Sequence, residues 1–269
     1  MGRLEGKVAF ITGAARGQGR AHSVRLAAEG ADIIGVDICG EVGASELPPA
    51  SPQDLEETAR LVEKEGRRML TRQADVRDLP ALQSAVDEGV GELGRLDVVV
   101  ANAGILNWSW SWEMSPEQWR DVIDVNLTGV FNTVKATVPT MIAQGEGGSI
   151  IMTSSVAGLY GQPFTASYTA AKHGVVGLAR CLANELSEHS IRVNTIHPTG
   201  VDTAMYRVPG LFQLIQSRAA TLGPVFMNSL PVEVMQPEEI AAVVAFLASD
   251  DAKYITGDQI RIDCGKLNR

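Results

Sequence analysis

Val8-Ala-Phe-Ile-Thr12 runs into Gly13-Ala-Ala-Arg16-Gly17-Gln18-Gly19, and after a helical stretch the chain continues as Ala31-Asp-Ile-Ile-Gly-Val36-Asp37. The order is apolar strand, glycine turn, helix, second strand, carboxylate. Gly13 can take backbone angles closed to other residues. Gly17 and Gly19 carry no Cβ to block a close backbone approach. The free N–H groups of the helix start can face phosphates. Asp37 stands where a carboxylate can accept both ribose hydroxyls of an adenosine, and it would repel a 2′-phosphate, so NAD is expected over NADP. A single glycine pattern is weak, and GxxxGxG is not the commoner GxGxxG; Asp37 and the flanking strands strengthen the dinucleotide reading.

The totals bound the alternatives. The 269 residues suffice for one large core or two small domains, and 45% hydrophobic content suits a globular chain. A formal charge of −9 argues against nucleic acid as a partner. No secretory leader is evident after Met1, and no uncharged apolar run approaches a membrane span, so a cytoplasmic protein without a membrane partner is expected. Cys39, Cys181 and Cys264 are few, odd in number and far apart, which suits reduced thiols. His22, His173, His189 and His197 lack metal-site spacing, so no metal is expected.

Farther along, strands and helices keep alternating. Residues 39–53 break the rhythm with Gly, Pro and Ser and no period, an insertion that is either functional or simply tolerated at the surface. Ser51 or Asp54 can cap the next helix. A strand near 69–74 delivers Asp75-Val76, and Asp75 either accepts an adenine amino group or caps the helix over 79–90. Leu96-Asp-Val-Val-Val100 reads as a strand buried on both faces, ending in the small residues Asn102, Ala103 and Gly104. Trp108, Trp110 and Trp112 fall on one side if extended, to wall a cavity, meet a subunit or pack. A long helix from Ser115-Pro116 continues through Asn126 toward 134. Further strands are expected at 148–155, 191–196 and 259–263, with helices over 168–186 and 237–247. Residues 204–235 read as a short-helix lid over an apolar pocket. The expected fold is therefore α/β: a single Rossmann-type doubly wound domain over 1–269, with a mostly parallel sheet covered by helices on both faces.

Tyr168 and Lys172 lie four apart on one face of a helix. A nearby ammonium favours a phenolate and lowers its pKa. Ser155, at a strand end, can place its hydroxyl beside the phenol. Asn126 can link Lys172 to water. Together they form a proton-transfer and oxyanion-orienting set for an alcohol or carbonyl, with hydride transfer left to the cofactor. Each also has a plain reading: core aromatic, solvent-facing stem, turn cap, backbone-bonding amide. His197 and His173 stay outside the set.

The chain resembles the short-chain dehydrogenase/reductase family. Thr12-Gly13-Ala-Ala-Arg16-Gly17-Gln18-Gly19 is similar to its TGxxxGxG motif and Asn102-Ala103-Gly104 to its NAG motif, while Asn126, Ser155, Tyr168 and Lys172 fall on its catalytic tetrad. The resemblance implies cofactor contacts at Gly13, Arg16, Gly17, Gln18, Gly19, Asp37, Ile38, Asp75, Val76, Asn102, Ala103, Gly104, Tyr168, Lys172, Pro198, Val201 and Thr203. The insertion after Cys39 and His197-Pro198-Thr199-Gly200-Val201-Asp202-Thr203 look like the carveol dehydrogenase-like, mycofactocin-coupled subgroup. That subgroup implies NAD held without exchange and electrons passed to the peptide-derived cofactor mycofactocin. The wider family has Pro-Gly where this chain has Pro198-Thr199, so a changed backbone beside the nicotinamide is expected. The resemblance also implies a homotetramer and a small apolar secondary alcohol or ketone as substrate, such as carveol. Alternatives are a general carbonyl or steroid reductase, or a nucleotide-binding protein without turnover.

Overall fold

The computed structural model describes residues 2–268; residues 1 and 269 of the expected domain lie outside them. Seven strands alternate with the main helices: β1 Val8–Thr12, α1 Gly17–Ala28, β2 Asp32–Asp37, α2 Pro52–Lys64, β3 Met69–Gln73, α3 Leu79–Leu93, β4 Val98–Ala101, α4 Pro116–Ile123, α5 Gly129–Gln144, β5 Gly148–Thr153, α6 Ala166–Glu185 and β6 Ile191–Pro198. Then come α7 Pro209–Ser217, α8 Ala219–Leu222, α9 Pro237–Ala248 and β7 Gln259–Ile262. The sheet order is β3-β2-β1-β4-β5-β6-β7. Every pairing is parallel, so the sheet is more uniform than expected.

Alternation along β1 shows how the sheet is covered. Val8 and Phe10 pack with Leu82, Val86, Val122 and Val175 under α3 to α6. Ala9 and Ile11 point the other way, to Leu26, Leu55, Val62, Ile240 and Val244 under α1, α2 and α9. All five residues of β1 are buried, as a parallel strand between two helical layers requires. Because β1 pairs with β2 on one side and β4 on the other, the chain reverses its winding direction there, and the carboxyl ends of the strands leave a crevice.

Local signals set the helix starts. Ser51 caps α2 in a reciprocal box with Asp54, so Ser51 is the cap and Asp54 its third-position partner. Ser115 and Gln118 do the same for α4 behind Pro116. Asp78 caps α3, which runs three residues past its expected end to a left-handed Gly94. The expected continuous helix through Asn126 holds, but with a π turn over Asp124–Thr128 that joins α4 to α5. No regular element forms in 39–50.

Candidate active site

Two halves of one cleft lie at the strand ends. The nucleotide half starts at the turn after β1. Gly13 and Gly17 have φ of 70° and 54°. A Cβ on Gly13 would stand 3.0 Å from the Ala103 Cα, and one on Gly19 would run into the Gly13 carbonyl. The cradle thus exists only with glycine at these places. Gln18 contributes a buried side-chain oxygen with no partner among the described residues. Asp37 closes β2, its carboxylate accepting the N–H of Ala15 and of Cys39, each at 3.0 Å. That pins its orientation and leaves it bordering the cleft. Asp75 also borders it. Burial works against its ionisation, yet the Arg77 guanidinium and backbone N–H outweigh this and hold its carboxyl below the usual range. Asp78, not Asp75, caps α3. Beside Asp75, the Val76 carbonyl accepts the Asn132 amide at 3.0 Å.

Asn102 acts as a clamp between strands. Its amide donates to the Thr12 carbonyl at 3.1 Å, and the Thr12 hydroxyl accepts the N–H of Asn102 and of Ala103 at 3.0 and 3.1 Å. The insertion lies across this half: Gly40, Val42, Ser45, Leu47, Pro48 and Pro49 wall the nucleotide cleft. Arg16 grips it, donating to the carbonyls of Pro48 and Pro49. Asp121 holds the other limb by accepting the Ala44 N–H at 2.8 Å. Gln73 donates to the Ile38 carbonyl at 2.9 Å. The insertion is therefore part of the cleft wall.

The second half contains Ser155, Tyr168 and Lys172 together. Ser155 follows β5 and caps a short turn, its hydroxyl accepting the Ala157 N–H at 3.1 Å. It also acts on the Tyr168 phenol, favouring its ionised form. Lys172 lies one turn along α6 from Tyr168, its Nζ 5.4 Å from the phenol ring centroid and donating to the Thr153 carbonyl at 2.6 Å. Here the expected electrostatics differ. Burial pushes the Tyr168 phenol up to about 12, against the effect of Ser155. Burial also pushes Lys172 down to about 8. In the protein alone, desolvation thus outweighs any lowering of the phenol by the ammonium.

Asn126 turns its side chain to the loop after Gly104. Its carboxamide oxygen accepts the Ile105 N–H and its amide donates to the Ile105 carbonyl, both at 2.8 Å. These two bonds fix the loop after Gly104, and the side chain makes no direct bond to Lys172 among the described residues. His197, set aside on sequence grounds, is fully buried behind Ser155. Its Nδ1 bonds the Ser155 carbonyl and its Nε2 the Thr195 hydroxyl, both at 2.7 Å. Burial pushes it down to about 4, so it is neutral and Nδ1 carries the donated proton.

Pro198 ends β6, and Val201 bridges to Met235. Thr203 packs near Gly17, so the two halves meet there. Thr199 and Gly200 have ordinary negative-φ backbone, so no glycine geometry is lost at Pro198-Thr199. Instead the Thr199 hydroxyl donates to Asn228 at 3.1 Å and ties down the covering segment. That segment includes α7 and α8 and brings Tyr206, Phe212, Ile215 and Phe226 to the cleft. The three indoles do not share one side. Trp108 lines the cleft, whereas Trp110 stacks on a largely exposed Trp112 at 4.7 Å. Gln162 and Lys266 also line the cleft and carry no sequence signal of it.

Comparison with known proteins agrees with this arrangement. The short chain dehydrogenase family model matches residues 7–209. The (−)-trans-carveol dehydrogenase of Rhodococcus erythropolis is 45% identical, over 98% of this chain and 99% of its own. An uncharacterised NAD-dependent oxidoreductase of Mycobacterium tuberculosis is 49% identical, over 99% and 98%. The crystal structure of carveol dehydrogenase from Mycobacterium avium in complex with NAD superposes with a TM-score of 0.95 at 49% identity, covering 100% of both chains. The chain belongs to the short-chain dehydrogenase family and is an oxidoreductase with its Rossmann-type fold.

Proposed function

We propose that the protein uses NAD to interconvert a cyclic secondary alcohol of carveol type and its ketone. The carrying observation is that the cleft holding Ser155, Tyr168 and Lys172 is continuous with the glycine cradle through Gln18, Asn102, Gly104, Thr203 and Met205. NAD, when bound, supplies the hydride acceptor and a cationic nicotinamide ring. Gly13, Gly17 and Gly19 leave room for its pyrophosphate, Asp37 receives ribose hydroxyls, and Asp75 and Val76 border the adenine. The absence of any basic side chain paired with Asp37 supports NAD over NADP among the described residues.

Ser155 orients the substrate oxygen, and Tyr168 takes the alcohol proton. Lys172 keeps donors besides the one used on Thr153, and these suit a ribose hydroxyl. Asn126 positions the loop beside the ring by holding Ile105. The carveol dehydrogenase relatives support a ring-shaped alcohol, and the aromatic and aliphatic cover supports an apolar body. The gripped insertion supports NAD that does not exchange; NAD held so must be reoxidised in place, and the proposed acceptor is mycofactocin. Exposed Trp119, Phe131 and Ile142 along α4 and α5 support a homotetramer.

A Tyr168→Phe variant tests the base. It is expected to retain NAD and to lose about 10²–10⁴-fold in oxidation rate; turnover at the parent rate would reject the assignment. Freshly purified protein should also release stoichiometric NAD on denaturation and oxidise carveol with an electron-accepting dye. Steady production of free NADH by nucleotide-free protein would instead establish ordinary exchange.

A further inference from the structure

The substrate half of the cleft contains a cation that oxidation of a purely apolar alcohol does not use. Lys266 stands just past β7, with its ammonium 5.5 Å from the Phe226 ring centroid and 5.7 Å from that of Tyr160. The one hydrogen bond of that ammonium among the described residues is a long one, 3.5 Å, to the Phe226 carbonyl. No carboxylate among those residues forms an ion pair with it. Glu233 borders the same cleft but is not paired with Lys266.

The turn that presents Lys266 is held from both sides. Asp263 accepts the N–H of Gly265 and of Leu267, each at 3.0 Å, and its carbonyl accepts the Lys266 N–H at 2.9 Å. The Cys264 carbonyl accepts the N–H of Ser229 and Leu230, and the Ser229 hydroxyl donates to Gly265 at 2.9 Å. Cys264 and Gly265 take positive φ to make the bend. The Asp263 carboxylate is thus spent on the backbone, although its charge still favours the ammonium, while burial pushes Lys266 down to about 8.

Aromatic faces attract a cation but supply no lone pair to its N–H groups. A hydrocarbon ring seated against Lys266 would displace water without replacing those bonds, and that lowers affinity. A substrate oxygen anion would replace them and pair with the charge in a partly dry site. We propose that the preferred substrate carries a carboxylate in addition to its carbinol, and that Lys266 receives that carboxylate. This rests on the reading of the Tyr168 cleft as the site of alcohol oxidation, and it narrows the substrate class to cyclic hydroxy acids and their oxo acids.

The test compares 4-hydroxycyclohexanecarboxylate with 4-methylcyclohexanol, using NAD-loaded protein and a dye acceptor. Wild type should favour the acid at least tenfold in kcat/KM. Lys266→Met should lower that ratio at least tenfold, mainly through KM for the acid, and Lys266→Arg should restore most of it. In parallel, calorimetry with unreactive cyclohexanecarboxylate should show binding weakened at least tenfold in Lys266→Met and recovered in Lys266→Arg, with circular dichroism confirming folded protein. Equal binding to wild type and Lys266→Met, or an unchanged substrate ratio, overturns the proposal. Should wild type oxidise neither alcohol, the oxidation reading falls, and the calorimetric comparison alone decides for or against Lys266.

Discussion

Removing the Arg16 guanidinium should speed the release of bound nucleotide. Arg16 sits in the phosphate turn, and its side chain reaches across to the Pro48 and Pro49 carbonyls of the insertion. A hydrogen bond from a charged donor is worth about 1.5–3 kcal/mol when well shielded. These two are solvent-exposed, which discounts each by half or more, so together they contribute about 1–2 kcal/mol to keeping the insertion closed. If NAD leaves only after the insertion lifts, Arg16→Ala raises the dissociation rate about 5–30-fold. Stopped-flow displacement of fluorescent NADH by excess NAD reads that rate directly. Arg16→Lys keeps the charge but has no planar fork to span both carbonyls, so it should release NADH nearly as fast as the alanine variant. An unchanged rate in Arg16→Ala refutes the latch. So does a rate increase seen in alanine but not lysine, because that would place the effect in charge attraction to the pyrophosphate.

Other perturbations follow from the same geometry. In Gly19→Ala the new methyl meets the Gly13 carbonyl and stands 3.0 Å from the Asn102 amide. Overpacking of that kind costs about 1–3 kcal/mol, so calorimetric melting should drop by several degrees with loss of nucleotide retention; a parent-like Tm with NAD in place would contradict it. Asp37→Ala leaves the Ala15 and Cys39 N–H groups without their acceptor, a cost of about 1–3 kcal/mol, and should raise NADP affinity relative to NAD. An unchanged affinity ratio by titration calorimetry would reject that role for Asp37. His22 is fully buried in α1 with neither ring nitrogen bonded among the described residues, and burial pushes it down to about 3. As pH falls below the unfolded value near 6.5, the unfolded chain takes up a proton that the folded chain refuses, so stability declines down to about pH 3. At pH 5 that amounts to about 2 kcal/mol relative to pH 7. Urea midpoints for His22→Leu should show a shallower acid decline, and an identical slope would sink the assignment.

The succession of strands along the chain is legible because each reads as a short apolar run bounded by glycine or polar residues; their order across the sheet is not, since it depends on which distant runs pair. The glycine cradle and Asp37 were legible for a similar reason: positive φ at Gly13 and Gly17 and an acid closing β2 leave direct marks in the sequence. The insertion was visible only as a loss of period. Its packing was not, because the groups that hold it are carbonyls of Pro48 and Pro49 and an N–H of Ala44, which every residue type possesses or nearly so. The tryptophans were misleading because alternate spacing fixes sidedness only in a regular strand, and residues 102–110 form none. Lys266 was hidden for a further reason. Its place depends on a bend at Cys264 and Gly265 and on bonds to residues some thirty-five positions earlier, so no local pattern announces it.

The polar residues near the reaction share one device. Thr12, Asn102, Asn126 and His197 each spend side-chain capacity on backbone groups of the loops that carry the working residues. Such bonds satisfy buried polar groups that could not otherwise lie so close to the sheet. They also set loop positions with little freedom: Asn126 fixes both backbone groups of Ile105, and neutral His197 fixes the carbonyl of Ser155 itself. Asn126 and His197 thus set backbone positions around the cleft, and Asn126 keeps one lone pair and one N–H beyond its two bonds to Ile105. Under the proposed function, the proton chemistry falls to Ser155, Tyr168 and Lys172. Burial keeps the Tyr168 phenol protonated and brings Lys172 down to about 8, where its ammonium still predominates at neutral pH, and it makes the phenol's acidity responsive to the positive charge that arrives with NAD, since charge acts more strongly where water is excluded.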